Sequence, residues 1–170
     1  MKKLEFKPGR LLRHLVGEDL AVRRAFSRDA LRRIEAEIAA QELRHGGELR
    51  FAVEGGLPPG MVLRGVRARQ RGEELFSSLR IWDTEMNNGV LVYLLLADRA
   101  LEIIADRGIH ARAGDAEWAS ICAGMQRDFA SGAFEQGVVA GVRAIGDLLA
   151  LHFPREAGDA NELPDTPVVL

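Results

Sequence analysis

Asp83, Glu85, Asn87 and Asn88 share one short polar stretch, and Asp106 closes the apolar region that follows. Three carboxylates and two amide oxygens suit a hard divalent cation, calcium or magnesium, which takes oxygen ligands. Asp83, Glu85 and Asn87 alternate like the front of a calcium loop. The EF-hand pattern itself fails, because Gly89 falls one place late and Leu94 stands where the closing Glu is required. Asp and Asn also cap turns and open strands through local hydrogen bonds, which is the structural reading of the same residues.

Other chemistry is thinner. Arg44-His45-Gly46 opens like a histidine-phosphatase motif, but Glu48 stands where its second Arg is needed. Cys122 and Arg127 are one residue too close for a cysteine-phosphatase loop, and Cys122 lies on an apolar helical stripe, where a free thiol acts as a small hydrophobe. Gly55-Gly56 runs into prolines and lacks the Lys of a phosphate-binding loop. His14, His45, His110 and His152 form no i, i+4 pair, which disfavours zinc. Arg64, Arg67, Arg69 and Arg71 read as a solvated helix face, with an acidic or phosphate-bearing partner as the alternative. Trp82 and Trp118 read as core or rim packing.

The elements that must position the acidic residues follow from periodicity. Gly89–Leu96 is apolar at consecutive positions, the pattern of a strand covered on both faces. Ala97-Asp98 makes a tight break, and Arg99–Ala105 returns as the antiparallel arm of a hairpin. Upstream, Glu48–Glu54 alternates with Leu49, Phe51 and Val53 on one side, as in a half-buried strand. A helix predicted over Val66–Leu79 separates the two strands, so they pair in parallel through a crossover. The start of the second strand and the end of the third then share an edge. That brings Glu85, Asn87 and Asn88 to Asp106 and Arg107, with Asp83 close behind and His45 and Glu48 alongside. Glu54 and Asp98 fall at the opposite edge.

Three helices complete the domain. Ser27 caps the first, whose stripe is Leu31, Ile34 and Ile38, and His45-Gly46-Gly47 ends it. Trp118, Ile121, Cys122, Met125 and Phe129 make a second stripe. Val138, Val142, Ile145, Leu149 and Phe153 make a third, which Pro154 stops. The fold class is α/β: a small mixed sheet, a parallel pair plus an antiparallel hairpin, sandwiched between helices. Residues 1–26 read as a basic arm with one short helix ended by Gly17, residues 27–153 as the domain, and residues 154–170 as an extended tail whose Val168-Val169-Leu170 docks on the body.

The 170 residues are 47% hydrophobic and 28% charged with net charge −2, which fits a globular domain and argues against nucleic acid as a partner. The charge is uneven: the first 80 residues hold 17 Lys/Arg against 11 Asp/Glu, and the remainder 6 against 14. The acidic half contains the candidate site. One cysteine excludes an internal disulfide. MKKLEF is not followed by an apolar core, and no run approaches a membrane span, so a cytoplasmic location is the expectation.

The stretch NNGVLVYLLLADRALEIIADRGI resembles the signature of the TPM-domain family: Asn-Asn-Gly-Val-Leu, an apolar strand, an acidic hairpin tip, a second strand and a turn containing Gly108. The helix from Ser27 with GGELRFAVE resembles the family's first helix and strand, and GAFEQGVVAGVRAIGDLL its closing helix, a likeness over roughly residues 28–153. The strand that usually precedes the first helix is not evident. The resemblance implies a Rossmann-like α/β sandwich. It also implies divalent-cation binding, as in some members, and acid phosphatase activity as assigned to a chloroplast member. Asn87, Asn88, Gly89 and Asp98 match the family pattern. The functional expectation is a divalent-cation-binding and protein-interaction module, with a partner protein or a homo-oligomer built through arm and tail. The alternative is a metal-assisted phosphatase acting on phosphomonoesters.

Overall fold

A four-stranded sheet in the order β3-β2-β1-β4 runs through the centre of the computed structural model, which describes residues 8–15 and 18–170. β1 (Leu49–Glu54) and β2 (Val90–Leu95) pair in parallel from Leu49↔Val90 to Glu54↔Leu95. β3 (Ala100–Ala105) returns antiparallel from Leu95↔Ala100 to Val90↔Ala105. β2 is apolar at all six positions and buried at all six, as its unbroken hydrophobic run requires. The parallel pair and the hairpin are those expected from the sequence. The added strand is β4 (Val168–Val169), which pairs parallel to β1 at Ala52↔Val168 and Val53↔Val169. The end of the tail therefore docks by adding to the sheet.

Helices cover both faces. On one side lie α2 (Glu18–Ala25), α3 (Arg28–Glu42), α6 (Arg107–Ala113), α7 (Asp115–Ala130) and α8 (Phe134–His152), around a core that includes Phe26, Ile34, Phe51, Val92, Ile109 and Val142. On the other side lie α1 (Pro8–Leu15), α4 (Pro59–Leu63) and α5 (Ala68–Ser78), around Leu57, Leu75, Leu91, Tyr93 and Ile104. Ser27 caps α3 as predicted, its hydroxyl accepting from Ala30 N at 3.1 Å. The apolar stripes of α7 and α8 meet each other and the sheet.

Several local expectations are corrected. β1 is buried along its whole length, Arg50 and Glu54 included, because the second helical layer and the tail cover the face that alternation assigned to solvent. The single helix read over Val66–Leu79 is two: Pro59 starts a short α4, Gly65 at φ +73° ends it, and α5 begins only at Ala68. The arm holds α2 as well as α1; Val16 and Gly17, where its one helix was expected to end, lie outside the described residues. Asp106-Arg107 is not a simple turn but the start of α6, whose seven residues are too few for a periodic signal.

Candidate functional site

The shared edge forms as the strand order demands. Asp106 N donates to Gly89 O at 2.8 Å, and Gly108 N to Asn87 O at 2.9 Å. Asn88 Nδ2 donates to Gly46 O at 2.9 Å, which brings the end of α3 and the start of β1 to the same place. Asp83, Glu85, Asn87, Asn88 and Asp106 thus lie around one end of the sheet, with His45 and Glu48 beside them.

Their oxygens are largely spoken for. Asp83 is paired with Arg80 on the surface. Asn87 Oδ1 accepts from Arg107 Nε at 3.2 Å, and Asp106 Oδ1 accepts from Arg107 N as the cap of α6 at 2.6 Å. Glu85 is exposed, and its backbone N–H reaches Glu162 Oε1 at 3.4 Å. Two oxygens stand apart: Asn88 Oδ1 and Asp106 Oδ2 are buried with no hydrogen-bond partner. Among the described residues no group of three or more His, Cys, Asp or Glu side chains is placed to hold a metal ion. The donor type fits a hard cation, while the positive charge in place comes from two guanidinium groups and the N-terminus of α6.

A neighbouring acidic cluster, of which the sequence placed only Glu48 at this edge, holds the tail. Glu42 Oε1 accepts from Leu49 N at 3.0 Å, and its Oε2 from Asn161 Nδ2 at 3.2 Å. Glu48 accepts from Glu162 N at 2.9 Å and from Leu163 N at 3.1 Å. Burial raises both carboxyls, Glu42 to about 9, with Glu48 and Asp165 adding to the effect on Glu42. Between its ordinary value of 4.5 and about 9, folded Glu42 keeps a proton that the unfolded chain has released, so stability falls as pH rises. His45 acts oppositely: burial lowers it from 6.5 to about 4, a gain in stability with pH that is complete by 6.5. The melting temperature should therefore drop between pH 6.5 and about 9, and Glu42→Gln should flatten that limb. An equal slope in the variant would refute the assignment.

The opposite end of the sheet carries two ionic networks. Glu54, 3% exposed, accepts from Tyr93 Oη at 2.6 Å and from Arg71 Nε at 3.0 Å. Burial and the bond to Glu54 together push the Tyr93 phenol well above its ordinary range. Asp98, at the hairpin tip, accepts from Arg10 Nη2 at 2.8 Å and from His14 Nε2 at 3.1 Å, while Leu57 N donates to His14 Nδ1 at 2.8 Å. Burial works to raise the Asp98 carboxyl, but the bonds from Arg10 and His14 outweigh it and hold it low. The arginine run is thus only partly a solvated face. Arg71 reaches in to Glu54, and Arg69 donates to Ile103 O at 2.9 Å. Trp118 is buried and Trp82 half exposed. Burial, then Glu102, raises the Cys122 thiol, which packs against the core and is poorly suited to act as a nucleophile.

The model of the TPM domain matches residues 22–148, three quarters of the chain. The chain belongs to the TPM-domain family. It is also similar to the NMR structure of the BA42 protein from the psychrophilic bacterium Bizionia argentinensis, at 28% identity and a TM-score of 0.76 over 85% of this chain and 95% of that one. Among curated proteins nothing matches. In this TPM domain the Asn-Asn-Gly signature has a structural account. Asn87 adopts φ +53°, and its carbonyl accepts from Gly108 N and Ile109 N; Asn88 ties β2 to the end of α3; Gly89 passes directly under the Ile81 carbonyl. A Cβ on Gly108 would lie 2.5 Å from Asn87 O and 2.7 Å from Met86 O, so that glycine too is required by backbone contact. No helix among the described residues is long and apolar enough to cross a membrane.

Proposed function

We propose that this chain is a non-catalytic TPM module that takes a divalent cation at the Asp83–Asp106 edge and presents that edge to a protein partner. The observation that carries the reading is that two oxygens at this edge, Asn88 Oδ1 and Asp106 Oδ2, are buried without partners, while Glu85 is exposed in the loop that leads into Asn88. Arg80 and Arg107 sit on the remaining oxygens as internal counter-ions, so a cation must displace them. Affinity is accordingly low, on the order of 10⁻³ M, the weak end of calcium sites.

Calorimetric titration with calcium and magnesium tests this. Arg107→Ala should tighten binding by freeing Asn87 Oδ1. Asp106→Ser should abolish it while keeping a capping oxygen for α6. Absence of saturable heat in both the wild type and Arg107→Ala would refute the cation reading. Metal-assisted hydrolysis of phosphomonoesters ranks second, since its support is the family resemblance together with the same acidic edge. A phosphomonoester panel assayed with and without magnesium decides it, and activity that survives Asp106→Ser would belong to another site or another protein.

A further inference from the structure

At the end of the sheet away from the Asn-Asn-Gly edge lies a cleft of about 770 Å³. Its volume falls within the roughly 300–1,000 Å³ usual for small-molecule sites. Leu94 and Leu101, on β2 and β3, line it from the sheet. Phe129 and Phe134 line it from the α7–α8 junction, their rings stacked at 5.4 Å between centroids. Ala21 and Ala25 of α2 line the remaining side. In open α/β sheets ligands gather outside the carboxyl ends of parallel strands, and this cleft borders that end of β2.

Its charge is one-sided. Arg24 and Arg99 both line the cleft, and no Asp or Glu among the described side chains does. Neither arginine has a carboxylate within ion-pair distance among the described side chains, although nine other arginines do. Arg99 is also held at φ +50°, a backbone conformation that costs a non-glycine residue about 1 kcal/mol or more. Glycine would suit that turn position better, yet the residue there is an arginine that lines an apolar cleft.

We propose that this cleft binds a small amphiphile with an apolar body and a single carboxylate, of the size class of a medium-chain fatty acid. The apolar walls take the chain and the two guanidinium groups take the carboxylate, a pairing that favours planar oxyanions. Among the described side chains no acidic group lines the cleft to repel it.

Titration of the full chain with sodium decanoate below its micellar range, followed by methyl NMR, tests the site, with 1-decanol as the uncharged control. Decanoate should saturate and shift the methyls of Leu94, Leu96 and Leu101. Arg24→Ala with Arg99→Gly should weaken decanoate about tenfold or more and leave decanol unchanged. Arg99→Gly relieves the left-handed backbone, so lost binding in that variant cannot be put down to misfolding. Four outcomes would overturn the proposal: no saturable binding, decanol binding as tightly as decanoate, shifts confined to other regions, or a self-associated dimer with these residues at its interface.

Discussion

Glu54→Ala is expected to destabilise the domain by about 3–5 kcal/mol, the cost of removing one partner from a buried ion pair. Glu54 is nearly inaccessible, and its two oxygens serve Arg71 and the Tyr93 hydroxyl together. Truncation strands a guanidinium that is itself mostly buried and a phenol in an apolar layer between α5 and the sheet. For a chain of this length that loss lowers the melting temperature by roughly 10 °C or more. Tyr93→Phe removes one charge-assisted bond and should cost about 1.5–3 kcal/mol. The informative comparison is Glu54→Leu with Arg71→Met, because removing both charges removes the desolvation penalty as well. The double variant should be more stable than Glu54→Leu alone. If Glu54→Ala melts within a degree or two of the wild type, or the double variant is the worse of the two, the network does not act as a unit.

Gly89→Ala should be nearly as damaging, at about 3 kcal/mol or more. The glycine lies under the Ile81 backbone, and its added methyl would meet the Ile81 carbonyl carbon at 3.1 Å and the carbonyl oxygen closer still. Ile81 is fully buried, and Gly89 O accepts from Asp106 N, so neither chain can move without disturbing β2 or α6. Chemical denaturation measures the loss. The comparison residue is Gly124 on α7, where an added Cβ meets nothing closer than the tip of Arg127 at 3.8 Å and alanine should stabilise slightly. Equal behaviour of the two variants would remove the packing explanation of the signature. The motif that marks the family thus serves the backbone joint between β2 and α6, and the oxygens left unpartnered there are its own Asn88 Oδ1 and the nearby α6 cap's Asp106 Oδ2.

Much of the architecture was legible because it is written locally. The unbroken apolar run of GVLVYLLL reports a strand covered on both faces, and the 3.6-residue stripes through Ile34, Met125 and Val142 report which face of each helix meets the core, whereas alternation in ELRFAVE marked a strand but missed the cover on its second face. From three strands and one crossover, strand direction alone brought Asn88, Asp106 and His45 to one edge and Glu54 and Asp98 to the other. Tertiary structure decided what those edges are. Arg107 takes Asn87, Arg80 takes Asp83, Arg71 takes Glu54 and Arg10 takes Asp98, and three of these pairs join residues 17, 20 and 88 positions apart, where no periodicity operates. The same holds for β4, a two-residue strand that exists only because β1 offers an open edge, and for the cleft, whose walls come from α2, the hairpin and the α7–α8 junction. Amphipathic period sets each element's inward face. Whether a polar group is free for a ligand depends on which distant charge reaches it first, and that is a property of the folded packing alone.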